Sequence, residues 1–304
     1  VTLTYGSTAY RLYGNSARGT PVLVCVHAVT CPQFTAAGLA SALEDSFRVL
    51  TFDRYGRGLS DCARQSDAFT RSPLETVDLY VGQIEELLQS LDLQEEPLVV
   101  LGHSMGGAIA AAFAARNSDR MKGLLLISPA GLAAPPGVPT GLTMGLLRAG
   151  FFGRFIWSLV GKGSLQGSVD NGKFADGDLG SWPAIKDEEP EMVARVAEVT
   201  TWQINEKLGF LYEFHQDLIS FPWGGLQAEY AAVASQTYPV TFVWGELDAS
   251  QPFERFSEVF APAIPRAKLV NIPEAYHSPH FVQATLPKVV EASRELLMQA
   301  GASK

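Results

Sequence analysis

The stretch Leu98-Val-Val-Leu-Gly-His-Ser-Met-Gly-Gly-Ala-Ile-Ala-Ala-Ala112 constrains the fold more than any other part of the 304-residue chain. Leu98 to Leu101 are apolar without interruption, the pattern of a strand buried on both faces. Ala108 to Arg116 is rich in alanine and reads as a helix. Between them, Gly102-His103-Ser104-Met105-Gly106 has to turn the chain from strand to helix within a few residues. Such a turn puts Ser104 in a strained backbone position and needs small neighbours, which Gly102 and Gly106 supply. The Ser104 hydroxyl is then left at the tip of the sheet, facing the positive end of the following helix. A nucleophile and a developing oxyanion would both be favoured there. Taken alone, the pentapeptide is also what a plain Gly/Ser bend looks like, so the rest of the chain decides.

Further continuous apolar runs at Val22–Val26, Gly123–Ile127 and Val240–Trp244, with Arg48–Asp53 and Ala267–Ile272, read as strands of the same sheet. Ala9–Tyr13 reads as a short strand before them. Helices are expected near Thr35–Leu43, Leu74–Leu91, Pro252–Phe260 and Phe281–Gln299. The clearest is the second, with apolar residues at 74, 77, 81, 84, 87, 88 and 91. Alternating strands and helices, with strands apolar on both faces, predict a mostly parallel sheet covered by helices on both sides.

The alternation stops between Ala130 and Tyr238. The expected division is therefore an α/β core of residues 1–129 and 239–304, carrying a helical cap or lid insertion at 130–238. Within that insertion come a Pro135–Pro139 turn, an apolar stretch from Leu142 to Val160, and a predicted loop with Gly at 161, 163, 167, 172, 177 and 180. Helices follow near Glu191–Leu208, Leu211–Ile219 and Gln227–Ser235.

Composition excludes several classes. A net charge of -9 with no basic stripe argues against nucleic acid and against electrostatic attachment to an anionic membrane. No apolar run approaches the length of a transmembrane helix. The odd, sparse set Cys25, Cys31 and Cys62 is no disulfide framework and is compatible with the cytoplasm. Cys25 reads as a core residue and Cys31 as a small space-filler. Val1 in place of methionine suggests a trimmed or processed N-terminus, so compartment and oligomeric state are both left open. A soluble chain of this length buries roughly 75% of its unfolded surface and needs no staple.

Ser104 needs a base, and the base needs an orienting group. The chain has five histidines. His103 points away from Ser104 by strand alternation, and His215 falls in the insertion's helices. His277 and His280 lie in Pro273-Glu-Ala-Tyr-His-Ser-Pro-His280, a loop on the sheet edge that carries Ser104. Pro279 fits a helix start, which favours His277 as the loop residue. Trp244-Gly-Glu-Leu-Asp-Ala-Ser250 offers Glu246 and Asp248 as orienter, with Asp248 preferred because Glu246 lies close to the strand end.

In this order the motifs resemble the α/β-hydrolase fold superfamily over nearly the whole chain, in its serine esterase/lipase-like branch. They are Gly102-His-Ser-Met-Gly-Gly107, Phe52-Asp-Arg-Tyr-Gly-Arg-Gly-Leu-Ser-Asp61, Trp244-Gly-Glu-Leu-Asp248 and Tyr276-His277. The resemblance implies an eight-stranded, mostly parallel sheet, with Ser104 as nucleophile, His277 as base and Asp248 as orienter. It implies neither metal nor organic cofactor. It also implies an oxyanion hole from the backbone N–H groups of Met105 and Val29, with His27 organising the loop. Ala28 stands where the family usually has Gly, and would be strained at a positive φ.

The expected substrate is a small-to-medium, mostly apolar carboxylic ester, a monoacylglycerol-like lipid among the candidates, cleaved through an acyl-enzyme. The motive for an apolar substrate is the Leu142–Trp157 stretch, from which Phe152, Phe155 and Trp157, with His27, are candidate substrate contacts. That stretch is equally readable as the cap's own core. Two alternatives remain open: hydrolysis of a C–C bond in a β-diketone-like substrate by the same triad, and a ligand receptor or scaffold with a vestigial triad.

Overall fold

The computed structural model describes residues 1–14, 17, 19–63, 71–135, 138–171 and 190–302. Its strands are β1 (Thr2–Leu3), β2 (Gly6–Ser7), β3 (Tyr10–Tyr13), β4 (Val22–Val26), β5 (Arg48–Phe52), β6 (Leu98–His103), β7 (Met121–Ile127), β8 (Val240–Gly245) and β9 (Lys268–Ile272). The main sheet runs in the order β3-β5-β4-β6-β7-β8-β9. β3 is antiparallel to β5 and every other pairing is parallel.

Among the described residues this sheet has seven strands rather than the expected eight. The difference lies at the N-terminus, where β1 and β2 pair only with each other. The backbone of Ser7 is satisfied by the glycine loop instead of a sheet neighbour. Its N–H donates to the Asp61 carboxylate at 2.9 Å, and its carbonyl accepts from the Asp61 N–H at 2.8 Å.

The continuous apolar strands have a direct cause. Val22, Val24 and Val26 face one core cluster, together with Leu98, Val100, Leu124 and Leu126. Leu23 and Cys25 face a second cluster, together with Val99, Leu101, Leu125 and Ile127. A strand feeding two cores has no solvent face on which to place a polar residue. The first cluster is covered by α2 (Pro73–Ser90) and α3 (Met105–Arg116), the second by α1 (Ala37–Leu43) and α9 (Leu286–Ala302). α2 starts with a capping box, Ser72 and Glu75 each bonding the other's backbone N–H, with Pro73 in its first turn.

The chain leaves β4 toward β5 on one side and resumes at β6 on the other, so the strand order reverses between β4 and β6. A crevice opens at such a reversal, beyond the strands' C-terminal ends. Val29 follows β4, and Ser104 follows β6.

Between β7 and β8 the described secondary structure is entirely helical: α4 (Gly141–Leu147), α5 (Gly150–Asp170), α6 (Pro190–Asn205), α7 (Phe210–Ser220) and α8 (Gln227–Ala234). α8 packs on α3 and so belongs to the sheet's flank. Gly161, Gly163 and Gly167 lie inside α5, not in the predicted loop. Each costs a helix about 1 kcal/mol relative to Ala. At Gly161 the cost has a use, because a Cβ there would meet the Trp157 ring at 2.5 Å. The remaining glycines of that expectation, 172, 177 and 180, lie outside the described residues, as do Pro136 and Gly137. The last helix begins at Leu286 because Pro279–Phe281 forms a separate 3₁₀ turn.

Candidate active site

The turn after β6 has the geometry its glycines imply. Ser104 has φ 55° and ψ −120°, an uncommon backbone state for a residue with a side chain. A Cβ on Gly102 would lie 2.4 Å from the Gly106 carbonyl oxygen, and one on Gly106 would lie 2.2 Å from that of Val26. Neither position tolerates a side chain. The strained turn is pinned on both sides: the Ser104 N–H donates to the Ile127 carbonyl at 2.9 Å, and its carbonyl accepts from the N–H groups of Gly107 and Ala130, each at 2.9 Å.

Asp248 and His277 meet as the sequence suggested. His277 Nδ1 donates to Asp248 Oδ2 at 2.8 Å, with both side chains buried. Asp248 Oδ1 accepts from the N–H groups of Ser250 and Gln251 at 2.9 and 2.7 Å, which fixes the carboxylate's orientation. The proton on Nδ1 makes Nε2 the basic nitrogen of His277. Glu246 is exposed.

His103 has a different task. Its Nε2 donates to the His277 carbonyl at 2.8 Å, and its ring lies 4.8 Å from that of His277 and 4.6 Å from that of His280. His280 is buried, its pKa lowered to about 3 by desolvation and then by His277. Burial, then His280 and His277, also hold His103 well below the usual histidine range. Both are neutral packing around the His277 loop.

The loop after β4 is held from behind by two buried arginines. Arg54 donates from Nε to the His27 carbonyl at 3.3 Å and from Nη2 to the Ala28 carbonyl at 2.8 Å; Arg57 Nε bonds the Val29 carbonyl. In a trans peptide the N–H points opposite to the C=O, and the chain contains no cis bond among its described residues. With the Ala28 carbonyl drawn to Arg54, the Val29 N–H is directed away from it. The Ala28 strain does not arise: among the described residues, the non-glycine positions with positive φ are Asp92, Ser104, Ser128 and Glu274. Met105 opens α3, so its N–H has no partner within the helix.

His27 is buried with both ring nitrogens engaged, Nδ1 with the Ala28 carbonyl at 2.7 Å and Nε2 with the Arg54 N–H at 2.8 Å. Burial and then Arg54 hold its pKa well below the usual range, as suits a ring whose Nε2 accepts. It organises the loop and does not line the cavity beside Ser104.

That cavity, of about 580 Å³, has Ser104, His277 and Val29 on one side and Leu147, Ile156, Trp157, Phe214 and Leu218 from the insertion on the other. Trp157 therefore reaches it, stacking with Phe214 and with His215 and donating Nε1 to the Leu211 carbonyl at 2.8 Å. Phe152 and Phe155 do not line it; both point outward and are half exposed. A groove of about 650 Å³ between β9 and α9 is lined largely by charged and polar side chains and lies away from Ser104. Cys25 and Cys31 are buried, Cys31 among Val196, Phe281 and Val282.

One group was not legible as functional. Asp217, on α7 and fully buried, accepts from Arg57 Nη2 at 2.7 Å and Tyr80 Oη at 2.6 Å and lies 3.7 Å from Arg54 Nη1. Gln203, on α6, accepts from the Gly58 N–H at 2.7 Å and donates to the Thr30 carbonyl at 3.1 Å. The insertion is thus bonded to the same loop as the arginines. The Arg54–Arg57 motif was visible in the sequence; no periodicity marks Asp217 or Gln203 as its partners.

Comparison with known proteins identifies relatives in sequence and in fold. The chain is 32% identical over 120 residues to a 1-acylglycerol-3-phosphate O-acyltransferase of Arabidopsis thaliana, a match covering 40% of this chain and 28% of that protein. The chain therefore spans less than a third of that relative's length. Among solved structures, a thermophilic esterase from Thermogutta terrifontis superposes with a TM-score of 0.72 at 20% identity, covering 97% of this chain and 94% of that one. An enol-lactonase from Burkholderia xenovorans LB400 gives 0.70 at 19% identity, covering 96% and 97%. At such identities these two establish the fold alone. The sequence pattern of the alpha/beta hydrolase family matches residues 23–290, from the first core of β4 into the last helix, and the chain belongs to that family.

Proposed function

We propose that this hydrolase is a serine esterase acting on a small-to-medium, mostly apolar carboxylic ester, with helices α4 to α7 of the 130–238 insertion as its cap. The observation that carries the reading is the convergence of Ser104, at its strained turn, and the Asp248-bonded His277 on one cavity with apolar walls. The Asp248 hydrogen bond keeps His277 in the tautomer whose Nε2 can take a proton.

In the proposed reaction, Ser104 Oγ attacks the ester carbonyl carbon while His277 Nε2 takes the hydroxyl proton. The carbonyl π electrons move onto oxygen, and the Met105 and Val29 N–H groups stabilise that charge. Donors of this kind are each worth on the order of 10²–10³ in rate. Collapse of the intermediate breaks the ester C–O bond, and the alcohol leaves with the proton from His277. Water then attacks the acyl-enzyme, losing its proton to His277, and Ser104 Oγ departs with that proton as the acid is released. The walls contributed by Leu147, Ile156, Trp157 and Leu218 favour an apolar acyl or alcohol group by burial, at roughly 25 cal/mol per Å².

The test is hydrolysis of p-nitrophenyl esters from acetate to octanoate by the wild type and by Ser104→Ala. The expected loss in kcat is on the order of 10⁶-fold for the variant, with a preference in the wild type for acyl groups longer than acetate. Substantial residual turnover in a folded Ser104→Ala protein would refute the nucleophile assignment. A preference for acetate over every longer group would refute the apolar pocket.

A further inference from the structure

The helices that close the cavity on its outer side carry a second, unassigned surface. On α5, Phe151, Phe155 and Leu159 are spaced four residues apart and form one stripe, with exposures of 73%, 50% and 67%. On α4, Leu142 and Leu146 are also four apart and exposed. The two helices pack against each other. Large apolar side chains grouped this way mark an interaction site, unlike scattered surface leucines.

We propose that this face of α4 and α5 docks on the surface of an anionic lipid bilayer, with the helices lying in the interface. Two observations select that occupant. From Gly141 to Asp170 the charged residues are Arg148, Arg154 and Lys162 with a single acid, Asp170, at the end of α5, a local charge of +2 in a chain whose net charge is -9. A helix pair with phenylalanine and leucine on its outer face and a net positive charge suits anionic headgroups. The same net positive charge disfavours a second copy of the chain, because a two-fold interface would bring two such helix pairs together. The other observation is continuity: Leu146, of the α4 stripe, and Val160, next in sequence to Leu159, are exposed and also line the cavity beside Ser104. An apolar molecule leaving the bilayer would therefore reach the cavity along apolar surface. Attachment would be peripheral, since no helix among the described residues is long and apolar enough to cross a membrane. The net charge disfavours membrane attachment of the chain as a whole; the local charge of these two helices has the opposite sign.

The docking claim stands without the Ser104 chemistry, and its test reads binding. Flotation with vesicles of phosphatidylcholine alone, and of phosphatidylcholine with phosphatidylglycerol, would be compared for the wild type, Phe151→Ser/Leu159→Ser and Lys162→Glu. All of the altered side chains are exposed and outside the cavity lining. The wild type should float with the anionic vesicles, and less so as salt is raised. Each variant should partition at least about fivefold more weakly, the effect expected of one cation near such a surface. Both should keep wild-type urea stability and wild-type activity on a soluble short ester. A wild type that stays in the soluble fraction with anionic vesicles would overturn the proposal, as would variants that float equally well. So would a wild-type dimer in light scattering that Phe151→Ser/Leu159→Ser converts to monomer, because the face would then be covered by a second copy.

Discussion

Removing the Asp217 carboxylate should unlock the loop after β4 and destabilise the chain at once. Asp217, Arg54 and Arg57 have no exposed side-chain surface, and the carboxylate faces both guanidinium groups and the Tyr80 hydroxyl. Asp217→Ala leaves two cations buried with their shared counter-charge gone. Breaking a buried ion pair in this way costs about 3–5 kcal/mol. The Tyr80 hydroxyl loses its acceptor as well, a penalty of about 1–3 kcal/mol that overlaps with the first because the groups form one network. Urea unfolding followed by tryptophan fluorescence should therefore show a loss of about 3–5 kcal/mol. Asp217→Asn should lose less, because it keeps an acceptor oxygen. Since the two arginines hold the Ala28 and Val29 carbonyls, any Asp217→Asn protein that folds should lose kcat more than it raises KM for p-nitrophenyl butyrate. An Asp217→Ala protein within 1 kcal/mol of wild type would refute the claim that this cluster fastens the insertion to the loop.

The histidines give two further predictions. His277→Ala should abolish ester hydrolysis while His280→Ala retains most of it, because His280 is a buried neutral ring packed on His103; equal losses in two folded variants would contradict the assignment. His27, His103 and His280 all have pKa values lowered by burial, His280 to about 3, against about 6.5 for an unfolded histidine. The unfolded chain then binds more protons below pH 6.5, so their contribution is complete above that pH and is lost as pH falls toward 3. Each contributes a slope of up to about 1.4 kcal/mol per pH unit in that window. Urea midpoints should fall between pH 7 and pH 5, and His280→Gln should flatten the slope; a pH-independent midpoint would refute it.

What was legible in the sequence was what has a local cause. Val22, Leu23, Val24 and Cys25 feed two cores alternately, so the buried strands declared themselves as unbroken apolar runs. Gly102 and Gly106 are fixed by a turn in which no Cβ fits. The missing strand and the long α5 were hidden because both depend on distant partners. Ser7 is satisfied by Asp61, more than fifty residues away, and the glycines of α5 are offset by packing such as that of Gly161 on Trp157. Phe152 and Phe155 were expected in the cavity from their apolar character alone; which side of a helix faces inward depends on what packs beneath it. Hydrophobicity does not distinguish a pocket wall from an outer face.

The most direct test is covalent. A fluorophosphonate probe reacts only with a serine whose base and oxyanion site are both in place. Incubation of the folded protein with the probe, followed by peptide mass spectrometry, should locate one label per chain on Ser104. Labelling should be lost in His277→Ala and retained in His280→Ala. A folded wild-type protein that takes no label, or takes it at another residue, would contradict the assignment of Ser104, His277 and Asp248 as a working triad.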